Sequence, residues 1–141
     1  MNIKLIKDQN SSTRFLATNA LGHEVIIENS SVDSPSAPSP MELILMAISG
    51  CSSIDIVHIL EKQKISISHL EVNVLGTRKE EAPRVFTQIQ LEVIMRGDIP
   101  QAKALRAMEL SFEKYCSVSK MLEQAVDIKY ALILNDVKVE A

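Results

Sequence analysis

Cys51 and Cys116 carry the only thiols in this 141-residue chain. Both sit among small polar residues, in Ser49-Gly50-Cys51-Ser52-Ser53 and in Tyr115-Cys116-Ser117-Val118-Ser119. A free thiol ionises near pH ~8.5, so at neutral pH it is mostly unreactive unless a cation or hydrogen-bond donors favour the thiolate. Cys51 falls in the middle of a helical stretch, where no backbone N–H is free, so its activation must come from side chains. Cys116 precedes a short helix whose N-terminal amides favour negative charge, and on backbone grounds it is the better placed to ionise. At about 100° per residue, Asp55 and His58 fall on the Cys51 face of the helix. A Cys51/Asp55/His58 metal site or a Cys–His pair is therefore open. The plainer reading is no metal, with His58 a hydrogen-bonded core residue and Asp55 a network member. Arg14, Arg78 and Arg84 are the arginines able to stabilise a thiolate; Arg78 and Arg84 read more simply as a solvated hairpin end. Glu42 lies about 180° round the same helix from Cys51, so it serves that thiol only from a partner subunit; otherwise it is a cap.

These residues need a scaffold, and the central piece is a helix over 39–63. Ser39 suits an N-cap, Pro40 the first helical position, and Glu42 the third, which completes a Ser-x-x-Glu capping box. The following Leu43-Ile44-Leu45-Met46-Ala47-Ile48 has no polar face, so the helix must be buried in a core, an interface or a membrane. It is about long enough to span a bilayer. Glu42, Asp55 and His58 interrupt it, and ionisable groups in a bilayer are costly, so a buried helix is expected. One small domain has little else to cover it, which points to a partner subunit. Before it, residues 1–28 read as a meander of strands at 2–8, 14–18 and 23–28, and 29–38 as a Ser/Pro linker. After it, 64–141 read as a hairpin of strands at 69–77 and 85–95, a helix with Ala102, Leu105, Met108 and Phe112 inward, a short helix capped by Ser117, and a last strand through Val126, Ile128, Tyr130, Leu132 and Leu134. The whole chain, 1–141, is expected to be one α+β domain with antiparallel sheets packed on the central helix.

The composition narrows the class. Hydrophobic residues make up 46% of the chain but aromatics only 4%, so the core is aliphatic. A net charge of −3 gives no basic footprint for nucleic acid. No apolar leader follows Met1, so the expected compartment is the cytoplasm. There, two cysteines favour catalytic, redox or metal roles over a permanent disulfide.

The motifs Ser39-Pro40-Met41-Glu42-Leu43, Ser49-Gly50-Cys51-Ser52-Ser53-Ile54-Asp55 and Glu113-Lys114-Tyr115-Cys116-Ser117-Val118-Ser119, with Glu81-Ala82-Pro83-Arg84-Val85-Phe86-Thr87 between them, resemble the OsmC/Ohr family in its YhfA-like branch. The likeness runs through nearly the whole chain. It implies an intertwined homodimer with sheets wrapped around two central cysteine helices. It also implies a thiol peroxidase for organic hydroperoxides and hydrogen peroxide. In that scheme Cys51 is the peroxidatic cysteine that becomes a sulfenic acid, Cys116 resolves it to a disulfide, and a dithiol reduces the pair, with no cofactor. This reverses the backbone-based preference for Cys116. The family's activating Glu matches position 41, which is Met here, with Glu42 one residue later; Arg14 is the only arginine in the region of the family's activating Arg. The alternative on the same fold is a non-catalytic homodimer that holds a small ligand in an apolar pocket. In it the thiols are incidental, and Cys51 would lie shielded and far from Cys116.

Overall fold

A computed structural model describes residues 1–139. The chain forms two compact units, Met1–Ile44 and Leu45–Ala141, divided inside the central helix.

The first unit is a meander of three antiparallel strands in the order β1 (Ile3–Lys7), β2 (Arg14–Asn19), β3 (Glu24–Glu28). Local side-chain bonds close its turns. The Asn19 carboxamide oxygen accepts the amides of Leu21 and His23, and Gly22 supplies the positive φ of +85° that the turn requires. The Ser/Pro loop is tied back to the sheet: Ser36 donates its amide and its hydroxyl to Glu28, and the Glu28 amide donates to the Pro38 carbonyl. Helix α1 (Pro40–Glu61) then begins at the expected capping box. The Ser39 hydroxyl accepts the Glu42 amide at 3.3 Å, while the Glu42 carboxylate accepts both the amide and the hydroxyl of Ser39 at 2.7 Å.

The second unit holds the rest of α1 and a four-stranded sheet in the order β4 (His69–Arg78), β5 (Phe86–Arg96), β6 (Asp127–Leu134), β7 (Val137–Val139). Along β5 the alternation predicted from the sequence is realised: Ile89, Leu91, Val93 and Met95 are buried. Leu132 and Leu134 of β6 lie in the same register rows as Val93 and Met95, and they continue that buried face. Helix α1 presents Ile48, Ser52, Ile56 and Leu60, one stripe at four-residue spacing, all fully buried. Gly76 of β4 keeps the space taken by the Phe86 ring, which any Cβ there would strike.

Three details depart from the sequence reading. The β5–β6 pair is parallel, because the chain between them crosses over through helices instead of turning back. Helix α2 (Gln101–Leu110) buries Met108 as expected, together with Ala104 and Ala107, while Ala102 is exposed and Leu105 only half-buried. The turn after α2 widens into a π-helical segment, Ser111–Tyr115, and α3 (Ser117–Leu122) takes Cys116 as its N-cap in place of Ser117.

Candidate active site

The site is built where α1 meets the α2–α3 junction. Cys51 and Asp55 are one helical turn apart on α1, so they present side chains on one face. Cys116 is delivered by the π-helical segment, which closes through its own amide onto the Ser111 carbonyl at 2.8 Å. Such wide turns recur at functional positions because they re-aim the following side chain. Ser111 is fully buried, and its hydroxyl donates to the Ser52 carbonyl of α1 at 3.1 Å, which pins the segment beside the Cys51 turn. From the other side, Phe112 stacks on Tyr130 of β6 at a centroid distance of 4.5 Å, and the Tyr130 hydroxyl donates to Glu113 at 3.1 Å. Ser119 completes the frame, donating its hydroxyl to the Phe112 carbonyl and its amide to the Cys116 sulfur at 3.4 Å.

Cys51 Sγ, a carboxylate oxygen of Asp55 and Cys116 Sγ thus come within 4.8 Å of one another. Both thiols are free. They differ in access: Cys51 is half-buried and Cys116 is fully buried. Burial is the main force that pushes the Cys116 thiol up to about 12. The Ser119 amide pulls it back, while the neighbouring Cys51 raises it further. Position at a helix start therefore does not make Cys116 the ionised thiol; desolvation outweighs the amide. The Oδ2 oxygen of Asp55 is buried and accepts no hydrogen bond.

His58, which helical spacing placed on the Cys51 face, is exposed and outside this group; Cys116 takes its place. Cys51, Asp55 and Cys116 together offer two sulfurs and a carboxylate oxygen to a metal ion, whose binding would release the thiol protons. Glu42 caps α1. The amide and then the hydroxyl of Ser39 hold its carboxyl below the usual value. Arg14 opens β2 opposite Glu28 and lines a cavity of about 420 Å³ with Ile6, Phe15 and Ile26 on the first unit. Arg78 and Arg84 bond backbone carbonyls of their own hairpin end and are exposed or half-buried there.

The family model described as "OsmC-like protein" matches residues 33–131. That span takes in α1, both cysteines, β4, β5 and the first five residues of β6. The chain belongs to the OsmC family. Protein YhfA of Escherichia coli K12 is 48% identical to it over 118 residues, which cover 83% of this chain and 87% of that protein. A hypothetical protein from Aquifex aeolicus VF5 superposes with a TM-score of 0.83 at 27% identity, covering 95% of each chain. The organic hydroperoxide resistance protein OhrB of Bacillus subtilis shares the OsmC fold with a TM-score of 0.66 at 20% identity, over 94% of this chain and 96% of that one. In the OsmC frame the apolar α1, long enough by length and composition to cross a membrane, is the core helix. Sequence reasoning passed over Ser111 and Ser119. Ser111, which continues the apolar stripe of α2 into the next turn, was the available sign, because a buried hydroxyl there must find a partner.

Proposed function

We propose that this OsmC-family protein is a thiol peroxidase that reduces organic hydroperoxides and hydrogen peroxide. One observation carries this reading: two free thiols lie within 4.8 Å, and only Cys51 has solvent access. Access assigns the roles. The Cys51 thiolate attacks the peroxide O–O bond, becomes a sulfenic acid and releases the alkoxide, which leaves as alcohol on gaining a proton. The enclosed Cys116 cannot meet a peroxide, but it is poised to attack the Cys51 sulfur and form the disulfide. A dithiol then restores both thiols, and no metal or cofactor takes part. In this reading Arg14 and Glu42 are the orienting groups, acting in an intertwined homodimer in the cytoplasm. The dimer is supported by apolar surface that a single chain leaves open: Met46 and Ile54 on α1, and Ile3, Leu5 and Ile6 on β1 are all at least half exposed. Gly50, mid-helix and exposed beside Cys51, has open space where a Cβ would stand. The thiols' proximity disfavours a ligand-binding module in which they are incidental.

The test is to mix reduced protein with one equivalent of cumene hydroperoxide and count thiols. Wild type is expected to lose both within seconds and to show a Cys51–Cys116 linkage by peptide mass spectrometry. Cys51→Ser is expected to keep Cys116 free, while Cys116→Ser stops at a sulfenic acid that dimedone traps. Wild-type thiols that survive minutes of peroxide would refute the peroxidase.

A further inference from the structure

Resting on the thiol roles just assigned, we propose that Asp55 is the general base of the disulfide-forming step, taking the Cys116 S–H proton as that sulfur attacks Cys51. Three features of the site converge on it. Its carboxylate lies within 4.8 Å of both sulfurs, a gap that one bridging water or a small side-chain movement closes. Its Oδ2 is buried yet accepts no hydrogen bond, although a buried carboxylate oxygen without a donor is costly. Among the described residues, no other group of three thiol, carboxylate or imidazole side chains converges this closely. The need for a base is equally plain: burial keeps the attacking thiol protonated at neutral pH, and the thiol form is a poor nucleophile. The Ser119 amide already occupies the Cys116 sulfur as a donor, so it cannot accept the proton.

The step balances within the site. The Cys116 S–H bond breaks and its proton passes to Asp55. The sulfur electron pair forms the S–S bond as the Cys51 S–O bond breaks. Hydroxide leaves, takes the proton back from Asp55 and departs as water. Cys116 is oxidised, the sulfenic sulfur of Cys51 is reduced, and Asp55 ends as it began.

The same proton must move whenever Cys116 attacks any oxidised Cys51, so the inference can be tested without peroxide. With 4,4′-dithiodipyridine, Cys51 releases one thiopyridone as it forms a mixed disulfide, and Cys116 releases the second as it closes the ring. Asp55→Asn is expected to leave the first release within about threefold of wild type and to slow the second about 100-fold, the lower end of the usual effect of a general base. Asp55→Glu, which keeps the carboxylate, is expected to recover at least tenfold of that loss. A second release at the wild-type rate in Asp55→Asn would overturn the proposal. So would equal slowing of both releases, or no recovery with Glu. Wild type that closes with the pyridyl disulfide but ignores cumene hydroperoxide would remove the peroxidase reading and leave the base standing. Wild type that never gives the second release would remove both.

Discussion

The two units carry the same kind of sequence signal and use it differently. β1 alternates Ile3 and Leu5 with lysine, as β5 alternates Ile89, Leu91, Val93 and Met95 with polar residues. In β5 the apolar set is buried, three of the four to 0% exposure, whereas every residue of β1 is exposed. Among the described residues of the first unit, Ser39 alone is buried. Period-two patterning selects which face is apolar, but burial needs something to lie on that face. Three strands without a covering layer are marginal. The second unit has its own core; the first is held by turns, caps and the Glu28–Ser36 anchor. In the proposed homodimer the other subunit would cover the apolar residues of β1.

The sharpest way to break this contrast is a matched pair of substitutions. Ile56→Ala removes a fully buried side chain of α1 and is expected to cost about 2–5 kcal/mol in urea unfolding. Leu5→Glu, on exposed β1, is expected to leave the fold of the second unit intact by circular dichroism but to yield monomers by light scattering. Equal losses of stability in both variants, or a Leu5→Glu protein that remains dimeric, would show that the two units are not covered in different ways. A smaller effect is expected at the brace. Ser111→Ala deletes the buried bond to the Ser52 carbonyl and should cost about 1–3 kcal/mol. It should also slow the second thiopyridone release more than the first, since it loosens the segment that carries Cys116. An unchanged ratio of the two releases would mean that the π-helical turn positions Cys116 without that bond.

How far the sequence could be read follows the same division between local and distant causes. The capping box at Ser39 and Glu42, the Asn19–Gly22 turn and the β4–β5 hairpin depend on neighbours in the chain, and each was legible. So was the gathering of small polar residues around two thiols. The parallel pairing of β6 with β5, the inward face of α2 and the widened turn at Ser111 depend on what packs across the unit. Spacing alone placed Met108 and Phe112 correctly but put Ala102 and Leu105 inward where Ala104 and Ala107 are buried. The convergence of Asp55 on Cys116 was beyond reach for the same reason. Helical geometry offered His58 as the third group and had no means of bringing in a residue from another element. The relative reactivity of the thiols was misjudged from the backbone because a helix start is a local feature, whereas desolvation of Cys116 is not.

The capping residues of α1 and α3 give the smallest and most specific prediction, because the stability linked to each should be lost at opposite ends of the pH scale. At α1 the cap is charged. Hydrogen bonds from Ser39, the amide first and then the hydroxyl, lower the Glu42 carboxyl below its ordinary 4.5, and bonds from Ser36 lower Glu28 likewise. A carboxyl depressed on folding adds stability that is present above its unfolded value and lost as pH falls through the folded one. At the start of α3, burial raises the Cys116 thiol from 9.0 to about 12 against the pull of the Ser119 amide, so the stability linked to it is complete below pH 9.0 and is lost as pH climbs toward 12. Glu42→Gln should therefore flatten the acid limb of the stability curve below pH 4.5 and leave the alkaline limb unchanged. Cys116→Ala, kept reduced alongside wild type, should flatten the alkaline limb only. Ser39→Ala should cost about 1 kcal/mol at neutral pH and flatten the acid limb in part, since the Ser39 amide still reaches the carboxylate. If Glu42→Gln and wild type lose stability in parallel on acidification, Glu42 is not held by its cap and is free to act elsewhere, which would strengthen its claim as an orienting group at the peroxide.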